Sequence, residues 1–211
     1  MFLSFEGGEG AGKSTQIQSL LVWLQAQGHA VLVTRQPGGT DYGQRIRHLI
    51  LDHHPSELLS PRAELFLYLA DRAHHVDTVI RPALAAGQIV ICDRYADSTL
   101  AYQGFGRGLD LSELKTLNHL ATGGLQPDLT FWLDLDPILG HARIGDRPGK
   151  DRLESEAQAF HQKVRSGYAA LAAEEPMRWQ RVDASLSAQA VLAELKTRLG
   201  PYLNSPVEAL P

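Results

Sequence analysis

Five short apolar runs, rich in β-branched side chains, punctuate the chain: Phe2–Phe5, Ala30–Thr34, Gln88–Cys92, Leu129–Leu133 and Trp179–Val182. Between them lie longer stretches, at about 13–27, 41–53, 60–86, 111–121, 155–174 and 187–200. These space their apolar residues three and four apart, which is the helical repeat. Strand-length apolar runs alternating with helices predict crossover units and an α/β fold, a five-stranded parallel sheet flanked by helices on both faces. Ligands of such sheets bind beyond the carboxyl ends of the strands, and each motif considered below follows one of the runs. Residues 1–203 are expected to form one domain, long enough to bury roughly 70% of its unfolded surface. Residues 204–211 hold two prolines and little periodicity, which predicts a disordered tail.

The first run leads into Gly7-Gly8-Glu9-Gly10-Ala11-Gly12-Lys13-Ser14-Thr15, a complete G-x-x-x-x-G-K-S/T phosphate loop, and then into an amphipathic stretch. Glycines let the backbone wrap a polyphosphate, so that successive N–H groups and a helix N-terminus face the anion. Lys13 supplies a mobile cation for the β- and γ-phosphates, and Ser14 a hydroxyl for Mg²⁺. The fold class therefore narrows to the P-loop NTPase type. A glycine-rich turn without a ligand is the plainer alternative, and the strand-to-helix setting disfavours it.

Composition changes this picture in only a few respects. A net charge of −4 leaves no basic field, so a nucleic acid polymer is not expected as a partner. Cys92 is the sole cysteine; set in an apolar run, it reads as an inert core thiol, and an intramolecular disulfide is excluded. No apolar stretch reaches spanning length and no signal-type segment opens the chain, so no membrane and a cytoplasmic setting are expected.

Further motifs fall after the other strands. The third run ends in Asp93-Arg94-Tyr95, and a carboxylate there occupies the position that holds Mg²⁺ in phosphate-loop proteins. Read alone, it is as well a strand-end cap. The second run is followed by Thr34-Arg35-Gln36-Pro37-Gly38-Gly39-Thr40, a turn signal, with Arg47 in the next helix. Tyr68 and Arg72, four apart, share a helix face and could stack on and hydrogen-bond a planar base. Taken alone, a core aromatic and a solvated arginine is the plainer reading of that pair. Residues 140–152 hold Arg143, Arg147, Lys150 and Arg152 around Pro148-Gly149, which suggests a basic mobile lid. Gly104–Gly108 reads as a loop and Glu174-Glu175 as a solvated helix end. His53-His54 and His74-His75 have no carboxylate–histidine cluster to complete a metal site.

Together these residues resemble the bacterial thymidylate kinase (dTMP kinase) family over about residues 2–200. The most specific strings are Glu6–Thr15, Thr34–Thr40, Asp93-Arg94-Tyr95 and Ser98–Gly104, and Asp151–Glu154 fits too. The resemblance implies ATP- and Mg²⁺-dependent phosphorylation of dTMP to dTDP and a homodimer packed through helices. It implies that Glu9 contacts the nucleotide 3′-OH and that Arg47 and Arg94 grip the dTMP phosphate. Arg72 would bond the thymine carbonyl, and Ser98 or Thr99 would lie near its ring nitrogen. Tyr102 would pack near C2′, with Tyr68 and Gln103 completing the substrate pocket. ATP would be held by Gly7 to Thr15 and by Arg143. Lys13, Arg94, Glu9 and Arg147 would be the catalytic set, and Ser14 and Asp93 the metal ligands.

Family members differ in whether a catalytic arginine sits in the phosphate loop or the lid. Here the loop has none, which is similar to the lid-arginine type and points to Arg147. Gln36 stands where many bacterial relatives have Glu, which removes a negative charge near the substrate phosphate. Tyr68 stands where Phe is usual, and its hydroxyl needs a partner. Three rivals carry different expectations: a kinase of the same fold acting on another monophosphate, a GTPase switch, and a nucleotide-binding interaction module. The switch would need an Asn-Lys-x-Asp signature that this chain lacks. The dense arginine set argues against a module without a second anionic ligand.

Overall fold

The computed structural model describes residues 1–53, 57–145 and 151–203. His54, Arg147, Lys150 and the tail expected at 204–211 therefore lie outside the described residues. Five parallel strands, β1 (Phe2–Glu6), β2 (Val31–Arg35), β3 (Ile89–Asp93), β4 (Leu129–Asp134) and β5 (Trp179–Asp183), form one sheet in the order β2-β3-β1-β4-β5. The first strand thus lies in the middle, paired with β3 through Phe2–Val90 and with β4 through Leu3–Leu129.

All five strands were legible as apolar runs, and each extends one residue further than its run. The added residues are Glu6, Arg35, Asp93, Asp134 and Asp183. The backbone ladder continues to the carboxyl edge, where side chains turn polar, and apolar periodicity cannot register that last residue.

Helices cover both faces. Leu3 and Phe5 of β1 point to one side, where α1 (Lys13–Ala26) and α9 (Ala188–Leu203) close a core through Leu20, Leu24, Leu195 and Leu199. Phe2 points to the other, against Val76, Ile80, Val90 and Tyr95. On that second side also lie α2 (Asp41–Leu51), α3 (Pro61–His75), α6 (Leu111–Thr122) and α8 (Gln158–Glu174), whose shared core includes Leu65, Leu69, Leu114, Phe160 and Val164. Cys92 is fully buried, and burial raises its thiol pKa well above the ordinary value, in keeping with an inert core residue.

The helical reading needs three corrections. The stretch expected at 60–86 is α3 continued by a π-helical turn at Val76–Ile80 and by α4 (Arg81–Ala85); Pro82 has no N–H to offer the Thr78 carbonyl, so the regular ladder shifts there. Gly104 to Gly106 are not loop: α5 (Ala96–Thr99) runs on as a π-helix over Leu100–Gly106. Gly106 is needed for packing, since a Cβ there would meet Phe160 at 2.6 Å. The start of the expected lid is also helical, because α7 (Pro137–Ile144) contains its first five residues. Glu174 and Glu175 are exposed, as expected of a solvated helix end, and pair with Lys115 at 2.8 Å and Arg178 at 2.9 Å. Among the described residues no helix is long and apolar enough to cross a membrane.

Candidate active site

The carboxyl edge of the sheet opens into a cavity of about 480 Å³. At its floor the phosphate loop joins β1 to α1. Gly12 precedes α1 in a left-handed conformation, φ 84°, and no side chain caps the helix. The first-turn N–H groups are therefore left for an anion. Gly10 has φ 70°, and a Cβ on it would lie 2.3 Å from the Gly140 carbonyl oxygen. The loop is thus pressed against α7 so closely that only glycine fits.

Lys13 is 8% exposed, with Nζ donating to the Gly7 and Gly8 carbonyls at 3.1 and 3.0 Å. The lysine is part of the loop's own packing, and burial together with Arg94 lowers its pKa. Gly7 and Gly8 contribute these carbonyls, whereas Glu9 to Thr15 line the cavity.

The second wall holds the residues expected to grip a monophosphate. Arg94 stands at φ 67°, an unfavourable conformation for a non-glycine residue that is characteristic of functional positions. Its guanidinium donates to Gly7 O at 2.8 Å, Tyr168 Oη at 3.2 Å and Glu9 Oε1 at 2.7 Å, and it lies 5.0 Å from the Tyr102 ring centre. Burial alone would raise the Glu9 carboxyl pKa, but Arg94 and Lys13 outweigh it and hold Glu9 down at about 2. Tyr102 Oη donates to the same Glu9 oxygen at 3.3 Å. The pair expected at the sugar is therefore joined directly. Arg47 donates to Pro37 O at 3.2 Å.

Arg72 overturns the solvated reading. It is 1% exposed and donates to Gln36 Oε1, Thr99 Oγ1, Asn118 Oδ1 and the Tyr95 carbonyl at 2.9, 2.8, 2.8 and 3.1 Å. Four of its five N–H groups are so engaged, and the residue still lines the cavity beside Tyr68. Gln36 also lines the cavity, with its amide bonded to Arg72 and His75. Tyr68 Oη finds no protein partner among the described residues. Of the two hydroxyls expected near a base, Ser98 is committed to Glu6 at 2.5 Å, while Thr99 accepts from Arg72. Gln103 reaches the cavity and donates to Glu64 at 2.7 Å.

Arg143, expected on the ATP side, lines the cavity too, with its guanidinium 2.8 Å from Ala184 O and 3.5 Å from Gly10 O. Arg152 instead donates to Ile50 O at 2.9 Å and forms an ion pair with the fully buried Glu64. It anchors the carboxyl end of the expected lid and already has a buried partner. Asp93 fits a metal: its Oδ1 is buried without a hydrogen-bond partner among the described residues, and it shares the cavity with Ser14. Hard oxygen donors of this kind are what Mg²⁺ takes.

Three participants escaped the sequence reading. Arg35, the last residue of β2, lines the cavity. Glu6 is fully buried and accepts from Ser98, Tyr168 Oη at 2.9 Å and Tyr95 N at 2.8 Å. Burial and Asp97 raise its pKa to about 7. Tyr168 comes from α8, and nothing local to it announces contact with β1. Glu6 had a signal, as a carboxylate ending an apolar strand immediately before the phosphate loop.

The thymidylate kinase family model matches residues 5–195. A thymidylate kinase of Synechococcus sp. (strain JA-2-3B'a(2-13)) is 56% identical over 203 residues, covering 96% of each chain. One from Desulfovibrio desulfuricans is 53% identical over 211 residues, covering 97% of each. Among solved structures, thymidylate kinase from Ehrlichia chaffeensis is similar, with a TM-score of 0.77 and 32% identity over 95% of this chain and 98% of that one.

Proposed function

The chain belongs to the thymidylate kinase family, and we propose that it transfers the γ-phosphoryl group of ATP to the 5′-phosphate of dTMP, releasing ADP and dTDP. One observation carries this: a single cavity is lined both by the phosphate loop and by a second basic wall of Arg47, Arg72 and Arg94. Two anionic ligands can therefore meet inside it.

ATP lies along Gly7 to Thr15, with Arg143 on the donor side. Lys13 leaves the Gly7 and Gly8 carbonyls for the β- and γ-phosphates. Arg47 and Arg94 hold the dTMP phosphate so that one of its oxygens faces the γ-phosphorus. That oxygen forms the new P–O bond as the bond to ADP breaks; the phosphate is already dianionic near neutral pH, so no general base is needed. Positioning and charge neutralisation carry such transfers. Ser14 and Asp93 would hold Mg²⁺, which when bound neutralises phosphate charge. Glu9, ionised by its cationic neighbours, takes the 3′-OH as a positioning residue, and Tyr102 crowds C2′. Arg72 and Thr99 read the base edge, with Tyr68 and Gln103 beside them. The lid at about 140–152 brings Arg147 to the transferring group, and Arg147→Ala is expected to lower kcat by roughly 10²–10³.

The chain acts as one domain, in the cytoplasm, consistent with a single buried cysteine. Exposed Leu49, Leu58 and Phe66, on or between α2 and α3, favour a homodimer packed through helices, which sedimentation analysis would detect. The direct test of activity is ADP release with dTMP, UMP, CMP, AMP and GMP as acceptors. Strong preference for dTMP is expected; a preference for another monophosphate would replace the substrate, and no release with any of them would overturn the assignment.

A further inference from the structure

Behind Arg72 runs a buried chain of hydrogen bonds whose direction is fixed by chemistry. The guanidinium Nε only donates, so the Gln36 atom 2.9 Å away must be the amide oxygen. The amide nitrogen then faces His75 Nδ1 at 3.0 Å. An amide nitrogen also only donates, so Nδ1 must carry a lone pair. The neutral ring therefore bears its proton on Nε2, which lies 2.6 Å from Thr34 Oγ1. The order is Arg72 to Gln36, Gln36 to His75, His75 to Thr34.

We infer that His75, as the Nε2–H tautomer, is a positioning residue for substrate binding: it orients the Gln36 amide and through it the guanidinium of Arg72. The inference rests on the proposed reading of the thymine edge by Arg72. Protonation at Nδ1 would force the amide to turn and set its NH₂ against the Arg72 Nε–H, donor against donor. Burial, with Arg72 next in effect and then His74, lowers the His75 pKa to about 4. From β2 and its loop the uncharged Thr34 and Gln36 hydrogen-bond the ring. The ring is also tightly seated, since a Cβ on Gly39 would lie 2.3 Å from His75 Nε2. The pattern explains what a glutamine does at position 36: it holds the arginine from the strand side without requiring a charged imidazole.

His75→Phe keeps a ring of similar bulk and removes both nitrogens. It should raise KM for dTMP about 3–10-fold, the worth of one ordinary hydrogen bond, with kcat at saturating dTMP within about twofold. Preference for dTMP over CMP should fall in parallel. ¹⁵N NMR of the wild type should show an unprotonated Nδ1 and a protonated Nε2 at pH 7, and Gln36→Glu should protonate Nδ1. Arg72→Lys is the control for the parent reading. If Arg72→Lys leaves KM for dTMP unchanged, the base reading fails and takes the inference with it. If Arg72→Lys raises KM while folded His75→Phe does not, the inference alone fails. A protonated Nδ1 in the wild type overturns it even if His75→Phe does not fold.

Discussion

At the residue scale, a backbone position in an unfavourable conformation joins several residues of the site. Arg94, at φ 67°, meets Gly7, Glu9 and Tyr168 at once. Such a conformation costs of order 1–3 kcal/mol and persists only where surrounding contacts over-determine it. Glu6 supplies part of that surrounding through Tyr95 N, Ser98 and Tyr168. With its folded pKa raised from 4.5 to about 7, Glu6 binds more protons in the folded than in the unfolded chain between those values. Its contribution to stability is therefore present below pH 4.5 and lost as pH rises through 7. Glu6→Gln cannot ionise, so its melting temperature relative to wild type should climb from pH 5 to pH 8. Melting curves of both proteins across that range test this, and a constant difference would mean that Glu6 does not titrate there. Asp93-Arg94-Tyr95 could be read from the chain because the string is specific. The strain at Arg94 and the burial of Arg72 could not, since both are set by partners at distant positions such as Asn118.

At the element scale, helix ends and strand ends position the chemistry. The two helical stretches missed by periodicity, α5 with its π-helical continuation and α7, are short and glycine-containing, and they are held by what they pack on. Their local propensity is weak, so tertiary contact decides them. The carboxyl end of the expected lid is fixed similarly. Arg152 and Arg107 both reach the fully buried Glu64, which also accepts from Gln103. Removing one of two cations from a buried carboxylate leaves it partly uncompensated. Arg152→Ala should therefore lose about 1–3 kcal/mol of stability, with kcat within about threefold of wild type. Denaturant unfolding and saturation kinetics on the same preparation separate these effects. A large kcat loss with stability unchanged would assign Arg152 to the transfer step instead. The basic lid string did not disclose this division of labour, because charge along a sequence does not reveal which arginine already has a partner.

At the scale of the whole molecule, the sheet brings together residues from Glu9 to Glu154 around one cavity. The sequence announced this arrangement through alternation of strands and helices, and the strand order is what it left open. That order has a consequence for how the protein is made. The phosphate loop follows β1, which leaves a ribosome well before its sheet neighbours, and these begin at Ile89 and Leu129. Pairings so distant along the chain form late. A nascent chain thus carries a complete polyphosphate-binding string for most of its synthesis without the walls that shape it. Stalled chains released at about residue 125 should fail to be retained on immobilised ATP, whereas the full-length product should be retained. Retention of the short form would mean that the loop and α1 assemble without β4. The nucleotide grip, translated before its walls, is completed only once the strand beginning at Leu129 has emerged.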